Sequence, residues 1–255
     1  MFDLHAVDIG ALLPFFAVGF CAQLVDGALG MAFGVITNTL LVSVLGVPPS
    51  RASANVHIVE AFTTATSGIS HALHGNIDWR IFFRLLIPGI IGGVTGAFLL
   101  SNIDGDMIKP FVLAYLVLIG FYLLARGILH KPVIRRPKTI APIGLVGGFM
   151  DAIGGGGWGP IVTSNLLVQG AEPRKVIGTV NAVEFFLTLT VSAAFLLNLG
   201  FSIFVGPMLG LLAGGICAAP FGAVLAKRVP MKGLLIMVGT VLIITSGFGL
   251  WRVIG

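Results

Sequence analysis

The sequence predicts an all-α polytopic membrane protein made of two inverted-topology repeats, each a broken-helix hairpin plus three transmembrane helices. Three observations favour this fold class: a very apolar composition, apolar runs of about 20 residues, and a motif pattern that occurs twice. Mean hydropathy is +1.05 and only 10% of the 255 residues are charged, whereas a soluble domain carries about 25%. The apolar runs are continuous rather than alternating, which is typical of membrane-spanning helices and not of β-barrel strands.

The chain contains the same pattern of residues twice, about 125 positions apart. Residues 26–34, "DGALGMAFG", correspond to residues 151–159, "DAIGGGGWG", and a polar triplet follows in each case. Farther along, "PPSRASANVHIVEAF" (48–62) corresponds to "EPRKVIGTVNAVEFF" (172–186). Agreement at Asp, Gly, Pro, a basic residue and Glu in the same order is hard to obtain by chance. We therefore predict a first repeat at residues 1–130, a linker at 131–140 and a second repeat at 141–255.

Each repeat opens with two apolar segments of only about 12–15 residues. At 1.5 Å per residue such a segment measures about 20 Å, which is less than the roughly 30 Å hydrocarbon core of a bilayer. Each pair is therefore predicted to form a helix-break-helix hairpin, at about 11–45 and about 141–169. The three longer segments that follow can each span the bilayer. We predict these spans at about 52–74, 82–101 and 107–129 in the first repeat, and at about 174–197, 201–225 and 233–254 in the second.

The distribution of Lys and Arg predicts the orientation in the membrane. The linker "HKPVIRRPK" (130–138) is densely positive, which places it in the cytoplasm. Tracing the spans from it places the loops 76–84 and 227–232 inside, and the loops 102–106 and 198–202 outside. Equivalent loops then fall on opposite faces, so the two repeats are antiparallel and both termini lie outside. We expect a multi-pass protein of the cell membrane, and specifically of a bacterial inner membrane.

Inverted repeats with interrupted helices are typical of secondary transporters, whose sites lie near the bilayer midplane. Non-helical backbone at that depth is tolerated only where it is buried or lines a cavity. A helix that begins after a break presents free N–H donors and a partial positive charge, which suits an anion. The pattern therefore predicts alternating access around an anion site made by the two hairpins.

The residues around both breaks resemble the sulfite exporter TauE/SafE family of membrane transporters. The second copy, "GGFMDAIGGGGWGPIVTSNLL" (147–167), is the closer match, and the first, "QLVDGALGMAFGVITNTLL" (23–41), has fewer glycines. The resemblance covers essentially the whole chain. It implies an exporter of a small sulfur-containing anion, such as sulfite or an organosulfonate.

The candidate substrate-binding residues lie at the breaks, in the polar triplets and on the helices that follow. The glycines could cradle an anion with their amides or let helices pack closely, and the triplets could bind oxyanions or bond helix carbonyls. His57 could bind the anion as imidazolium, relay protons, or be a satisfied core histidine. The candidates are Thr37, Asn38, Thr39, Asn55, His57, Gly154, Gly155, Gly156, Gly157, Thr163, Ser164, Asn165 and Asn181.

Four acidic residues are candidates for coupling or gating. Glu60 and Glu184 occupy matched positions inside apolar helices, where an ionisable group is functional by default. Each would repel an anion unless it is protonated, and the basic residue nine positions away is about 13 Å distant along the helix, too far for an ion pair. Asp26 and Asp151 precede the breaks and could cap the free N–H groups or carry a proton.

The main alternative function is a cation or metal-ion permease that uses Glu60, Glu184, His57 and the aspartates. It would be favoured if these acids meet at the centre without compensating donors. The sequence has no Walker A, HExxH or GxSxG pattern, so we expect no enzyme, cofactor or bound metal. The net charge of +5 follows the placement of cytoplasmic Lys and Arg, and we expect lipid and a small anion as partners, no nucleic acid, and a homodimer as a compatible assembly. Cys21 and Cys217 are expected to be buried free thiols.

Overall fold

The fold is described by a computed structural model that covers residues 9–29, 31–129, 137–200, 205–228 and 231–254. Every regular element within these ranges is a helix. In chain order they are α1 (Ile9–Leu29), α2 (Phe33–Thr39) with the π-helical segment Leu40–Val44, α3 (Pro49–Leu73), α4 (Trp79–Asn102), α5 (Gly105–Leu129), α6 (Ala141–Gly154), the π-helical segment Trp158–Thr163 with α7 (Ser164–Val168), α8 (Pro173–Leu199), α9 (Val205–Arg228) and α10 (Met231–Ile254).

Several of these helices are long and apolar enough to cross a membrane. Among the described residues the four that qualify are Trp79–Asn102, Gly105–Leu129, Lys175–Leu199 and Leu235–Ile254, and shorter apolar helices accompany them. The outer face of α4 exposes large apolar side chains at Phe83, Ile87 and Phe98. A continuous apolar face of this kind is suited to lipid and not to water. The predicted class, an all-α polytopic membrane protein, is confirmed.

Both predicted hairpins are interrupted where the sequence indicated. α1 ends at Leu29 and α2 begins at Phe33, while α6 ends at Gly154 and the next helical turn begins at Trp158. The predicted length of the first segment is wrong, because α1 has 21 residues, or about 31 Å at 1.5 Å per residue. Its helix continues beyond Asp26 because that carboxylate accepts amides of the following segment and does not terminate its own helix.

The helices pack in pairs that draw one member from each half of the chain. α1 packs on α9, α6 on α4, α3 on α8 and α5 on α10. Glycine permits the closest of these approaches: a Cβ at Gly148 would overlap the backbone of Gly89, and one at Gly120 would lie 2.9 Å from the carbonyl oxygen of Gly239. Such small-residue contacts let membrane helices gain van der Waals packing where lipid offers no hydrophobic driving force.

The loops gather at two opposite ends of the bundle. One end, which we call the Arg51 end, carries a surface cavity lined by residues 46, 48–51, 104–106, 109 and 198–199. At the other end, the Lys175 end, Lys175 Nζ donates to the carbonyl oxygen of Gly75 at 2.6 Å, and the backbone N–H of Asp78 donates to Thr179 Oγ1 at 2.8 Å. Residues of the two loops expected outside, 104–106 and 198–199, thus lie at the Arg51 end, and the loop that begins at residue 76, expected inside, lies at the Lys175 end.

Some predictions lie outside the described residues, namely those on residues 1–8, Gly30, the linker residues 130–136, and the loop residues 201–204 and 229–230. A second prediction on the described helices is also wrong: Cys21 and Cys217 are free cysteines, as expected, but they are exposed. An apolar neighbourhood in sequence does not imply burial here, because the outer surface of a membrane protein is itself apolar.

Candidate functional site

The two helix breaks lie against each other at the centre of the bundle. A Cβ at Gly34 would lie 2.8 Å from Gly156 Cα, and a Cβ at Gly156 would overlap the backbone of Gly34 and Val35. Gly155 and Gly156 also have φ angles of 61° and 148°, which L side chains rarely adopt. Glycine is therefore required at this break both for the backbone conformation and for the approach of α2.

An aspartate caps the helix that follows each break. Asp151 Oδ1 accepts from the backbone N–H groups of Gly157 (2.7 Å) and Trp158 (2.8 Å). Asp26 Oδ1 accepts from those of Ala32 (2.6 Å) and Phe33 (3.0 Å) at the same sequence spacing. These bonds satisfy donors that a helix start leaves free. The amides that we expected to face an anion are thus already held by carboxylates.

A cavity of about 380 Å³ lies beside the two breaks. Four carboxyl groups line it, and no Lys or Arg is among its lining residues in the part of the chain that the structure describes. Its side-chain donors come from amide, hydroxyl and imidazole groups. The polar side chains lining the cavity are Gln23, Asp26, Glu60, Thr63, Thr64, Ser67, His71, Asp151, Asn181 and Glu184.

The cavity collects some of the predicted site residues and leaves others in the surrounding packing. Those that line it are Asp26, Glu60, Asp151, Gly156, Gly157, Asn181 and Glu184. Those that the structure places away from its lining are Thr37, Asn38, Thr39, Asn55, His57, Gly154, Gly155, Thr163, Ser164 and Asn165.

The polar triplets are buried, except for half-buried Asn165, and their amides bond within the bundle. Asn38 Nδ2 donates to the carbonyl oxygen of Gly154 in the other break, and Asn165 Nδ2 donates to that of Ile161 in its own helix at 2.7 Å. The hydroxyl oxygens of Thr37 and Thr39 have no hydrogen-bond partner among the described residues. In this conformation the triplets support the breaks, and their role in binding stays a prediction.

Among the acids that line the cavity, Glu60 has a buried carboxyl oxygen without a hydrogen-bond partner in the described residues. Its side chain is 5% exposed, the amide of Gly34 interacts with its carboxyl group, and Oε2 has no partner in the described residues. Glu184 is its electrostatic neighbour across the cavity. Within the described chain, no group of three or more His, Cys, Asp or Glu side chains is placed to hold a metal ion.

His57 is buried beside the cavity, where it contacts one capping aspartate. Its Nε2 lies 3.0 Å from Asp151 Oδ2, and its Nδ1 lies 2.8 Å from the carbonyl oxygen of Ser53. The ring also packs against Phe195 of α8, with centroids 6.1 Å apart. His57 therefore ties α3 to the second break.

Sequence reasoning missed several contributors to the site, including Gln23 of α1. The cavity face of α3 continues from Glu60 through Thr63, Thr64, Ser67 and His71, and this i, i+3, i+4 spacing was a signal that could have found it. Tyr115 of α5 packs on the glycine break, since a Cβ at Gly154 would overlap its ring. Nothing in the local sequence marks Tyr115, because its contact depends on how distant helices pack.

The comparisons with known proteins agree with this architecture. Residues 15–248 match the sulfite exporter TauE/SafE family. The chain is 41% identical over 247 residues to the probable membrane transporter protein YtnM of Bacillus subtilis (strain 168), which covers 92% of this chain and 81% of that protein. It is 22% identical over 239 residues to a probable membrane transporter protein of Xylella fastidiosa, covering 89% and 90% of the two chains. No solved structure is significantly similar to this chain.

The family match spans nearly the whole bundle, including both breaks and the helices that line the cavity. It confirms the resemblance that the two break motifs indicated. The spanning helices and the related transporters together identify a multi-pass protein of the cell membrane. The chain belongs to the sulfite exporter TauE/SafE family of membrane transporters.

Proposed function

We propose that this protein is a secondary transporter that exports a small sulfur-containing anion, such as sulfite or an organosulfonate, by alternating access around the central cavity. The observation that carries the proposal is the meeting of two capped helix breaks beside a polar cavity inside a membrane bundle. Broken helices that meet at a cavity are the usual site architecture of secondary transporters. The family supplies the class of anion.

The helix pairing supports two inverted repeats, at 1–130 and 141–255. In the sequence repeat, α1 corresponds to α6 and α9 corresponds to α4. The pair α1–α9 therefore corresponds to the pair α6–α4, and both pairs are observed. The pairs α3 with α8 and α5 with α10 map onto themselves. The aspartate caps occur at the same spacing in both halves. Two such halves can exchange conformations and so expose one site alternately to either side.

The cavity lining favours an inward-facing state. Ser67 and His71 come from the end of α3, and Ile177 from the start of α8, so these residues lie toward the Lys175 end. That end carries the loops expected in the cytoplasm. His57 and the first polar triplet are packed away from the cavity. We infer that they become accessible when the protein opens at the Arg51 end.

The acidic lining requires that an anion be accompanied by protons. Four carboxylates would repel sulfite or a sulfonate, and unpaired charge is costly in a membrane interior. The hydroxyl of Ser67 and the second amide hydrogen of Asn181 could donate to the oxyanion once carboxyl groups carry protons. Glu60 and Glu184 are the coupling groups in this proposal. A homodimer is compatible with it, and light scattering of the detergent-solubilised protein would measure that assembly.

A second candidate function is cation permeation, since the cavity has four carboxyl groups and no lining Lys or Arg among the described residues. Against a metal substrate, Asp26 and Asp151 are already engaged by backbone amides. The described residues also hold no cluster of three metal-binding side chains.

Flux measurements in proteoliposomes distinguish the two candidates. Sulfite, sulfoacetate, taurine, sulfate and a divalent metal ion would be compared with and without a pH gradient, against protein-free liposomes. We expect flux of sulfite or a sulfonate that responds to the gradient. Selective metal flux with no response to any anion would overturn the proposal.

A further inference from the structure

The hydrogen bonds around His57 define where its ring carries a proton. Ser53 Oγ donates its single proton to the carbonyl oxygen of Ala152 at 2.5 Å, so the hydroxyl cannot donate to the ring. His57 Nδ1 lies 2.8 Å from the carbonyl oxygen of Ser53, which can only accept. Nδ1 must therefore carry a hydrogen.

A second proton must lie between His57 and Asp151. With Nδ1 protonated, a neutral ring would turn the Nε2 lone pair toward Asp151 Oδ2, 3.0 Å away. Two lone pairs at that distance repel each other. The contact is attractive only when one proton is shared, either as imidazolium with carboxylate or as imidazole with carboxylic acid. This proton can leave through the cavity, since Asp151 lines it.

The equivalent positions in the other half hold no imidazole. Asn181 corresponds to His57, and Asp26 corresponds to Asp151. Both Asn181 and Asp26 line the cavity, and Asn181 Nδ2 donates to the carbonyl oxygen of Ile177 at 2.9 Å. An asparagine in that place binds no additional proton at physiological pH. A site that depends on a bound proton is therefore found at these matched positions only for His57 and Asp151.

We propose that His57 and Asp151 form a proton-binding latch that keeps the Arg51 end of the site closed while the shared proton is present. Loss of that proton to water separates α3 from the second break and favours opening at the Arg51 end. Phe195, which packs on the His57 ring, would separate from it at the same step. The inference rests on the alternating access of the proposed function and adds the group that makes it depend on pH.

Other titratable groups face the latch and must be separated from its effect. In the described residues these are Asp26 of α1, Glu60 of α3, Tyr115 of α5 and Glu184 of α8. They are present in wild type and in a His57→Asn variant alike. The difference between the two proteins therefore isolates the proton on His57.

The test measures how easily a cysteine in the cavity is reached at different pH values. Ser67→Cys would be made in a Cys21→Ser, Cys217→Ser background, and labelled with a membrane-impermeant maleimide in vesicles of both orientations. Thiol reactivity rises with pH by itself, so the rate with His57 is divided by the rate with His57→Asn at each pH. Labelling is measured from the membrane face at which Ser67→Cys reacts. As the pH rises from about 5.5 to 8.5, which brackets the usual titration range of histidine, we expect this ratio to fall by about threefold or more.

Asp151→Asn and His74→Asn complete the design. Asp151→Asn removes the carboxylate of the latch and should abolish the pH dependence as His57→Asn does, whereas exposed His74 lies beyond α3 and its replacement should leave the profile unchanged. A ratio that is flat with pH, or a pH response that survives Asp151→Asn, overturns the latch. Because labelling needs no substrate, a falling ratio in a protein that transports none of the anions would sustain the latch and reject the proposed substrate.

Discussion

At the contact between the two helix breaks, only glycine fits the backbone conformation and the close approach. Gly156 has a φ angle of 148°, and it packs on Gly34 at the start of α2. A side chain there would be strained and would also push the breaks apart. The glycine run thus serves the approach of the two halves, and Gly156 and Gly157 additionally reach the cavity.

Gly156→Ala is therefore expected to destabilise the protein by about 1–3 kcal/mol, the usual cost of holding a side chain in a sparsely populated backbone conformation. Gly247→Ala is the matched control, because a Cβ at this glycine of α10 meets nothing within 4 Å. In a helix interior Ala is favoured over Gly by about 0.5–1 kcal/mol. Thermal unfolding midpoints in detergent should move in opposite directions. A wild-type midpoint for Gly156→Ala would contradict this account of the break.

Glu60 is the residue whose charge should matter more to transport than to folding. Its Oε2 has no partner in the described residues, so Glu60→Gln breaks no hydrogen bond at that atom and should not lower the unfolding midpoint. Because glutamine cannot bind and release a coupling proton, anion flux driven by a pH gradient should fall by about tenfold or more. A tenfold loss corresponds to an increase of ~1.4 kcal/mol in the barrier. Glu184→Gln provides the counterpart in the other half. Undiminished gradient-driven flux in both variants would remove the two acids from coupling.

At the scale of helices, the sequence predicted the breaks and could not predict how their donors are used. The run from Gly154 to Gly157 and the matching aspartates are local features, so the interruptions were visible without a structure. Whether Asp151 or a substrate would occupy the amides of Gly157 and Trp158 depends on side-chain geometry. Spacing leaves both possibilities open. The predicted length of α1 is wrong because Asp26 reaches the amides of Ala32 and Phe33 from within a helix that continues to Leu29.

The two polar triplets differ in the helices that their asparagines connect, and substitution of each asparagine tests this difference. Asn38 bonds the carbonyl oxygen of Gly154 in the opposite break, whereas Asn165 bonds Ile161 of its own helix. Asn38→Ala should therefore cost about 1–3 kcal/mol, since it leaves a buried carbonyl unpaired. Asn165→Ala should cost less, and both variants should still insert into the membrane.

The readouts for the two asparagine variants are unfolding in detergent and anion flux in proteoliposomes. If the triplets bind substrate in the other conformation, both variants lose flux, beyond what their stability explains. Wild-type flux in both variants, whatever their stability losses, would assign the triplets to structure alone.

The cavity shows where helix packing adds information that sequence lacks. The polar face of α3 on the C-terminal side of Glu60 follows helical periodicity and could have been identified from the sequence. Tyr115 could not, since it reaches Gly154 only because α5 packs beside the second break. The acids Glu60 and Glu184 were found from their matched positions. Their meeting with Asp26 and Asp151 in one cavity required the three-dimensional arrangement.

For the whole molecule, alternating access makes a reciprocal prediction about two positions on opposite sides of the breaks. Ser67 lines the present cavity toward the Lys175 end, while Thr39 is 1% exposed near the end of α2 that leads to the Arg51 end. Conditions that lower the labelling of Ser67→Cys should raise that of Thr39→Cys from the opposite face, because one rearrangement closes the first path and opens the second.

Sulfoacetate is the suitable substrate for this measurement, since sulfite itself adds to maleimides. Asn198→Cys, which is exposed at the Arg51 end, is the control for reagent access from that face. A carrier gives opposite changes at the two cysteines, whereas a continuous pore would let both be labelled together, and that result would reject alternating access for this fold.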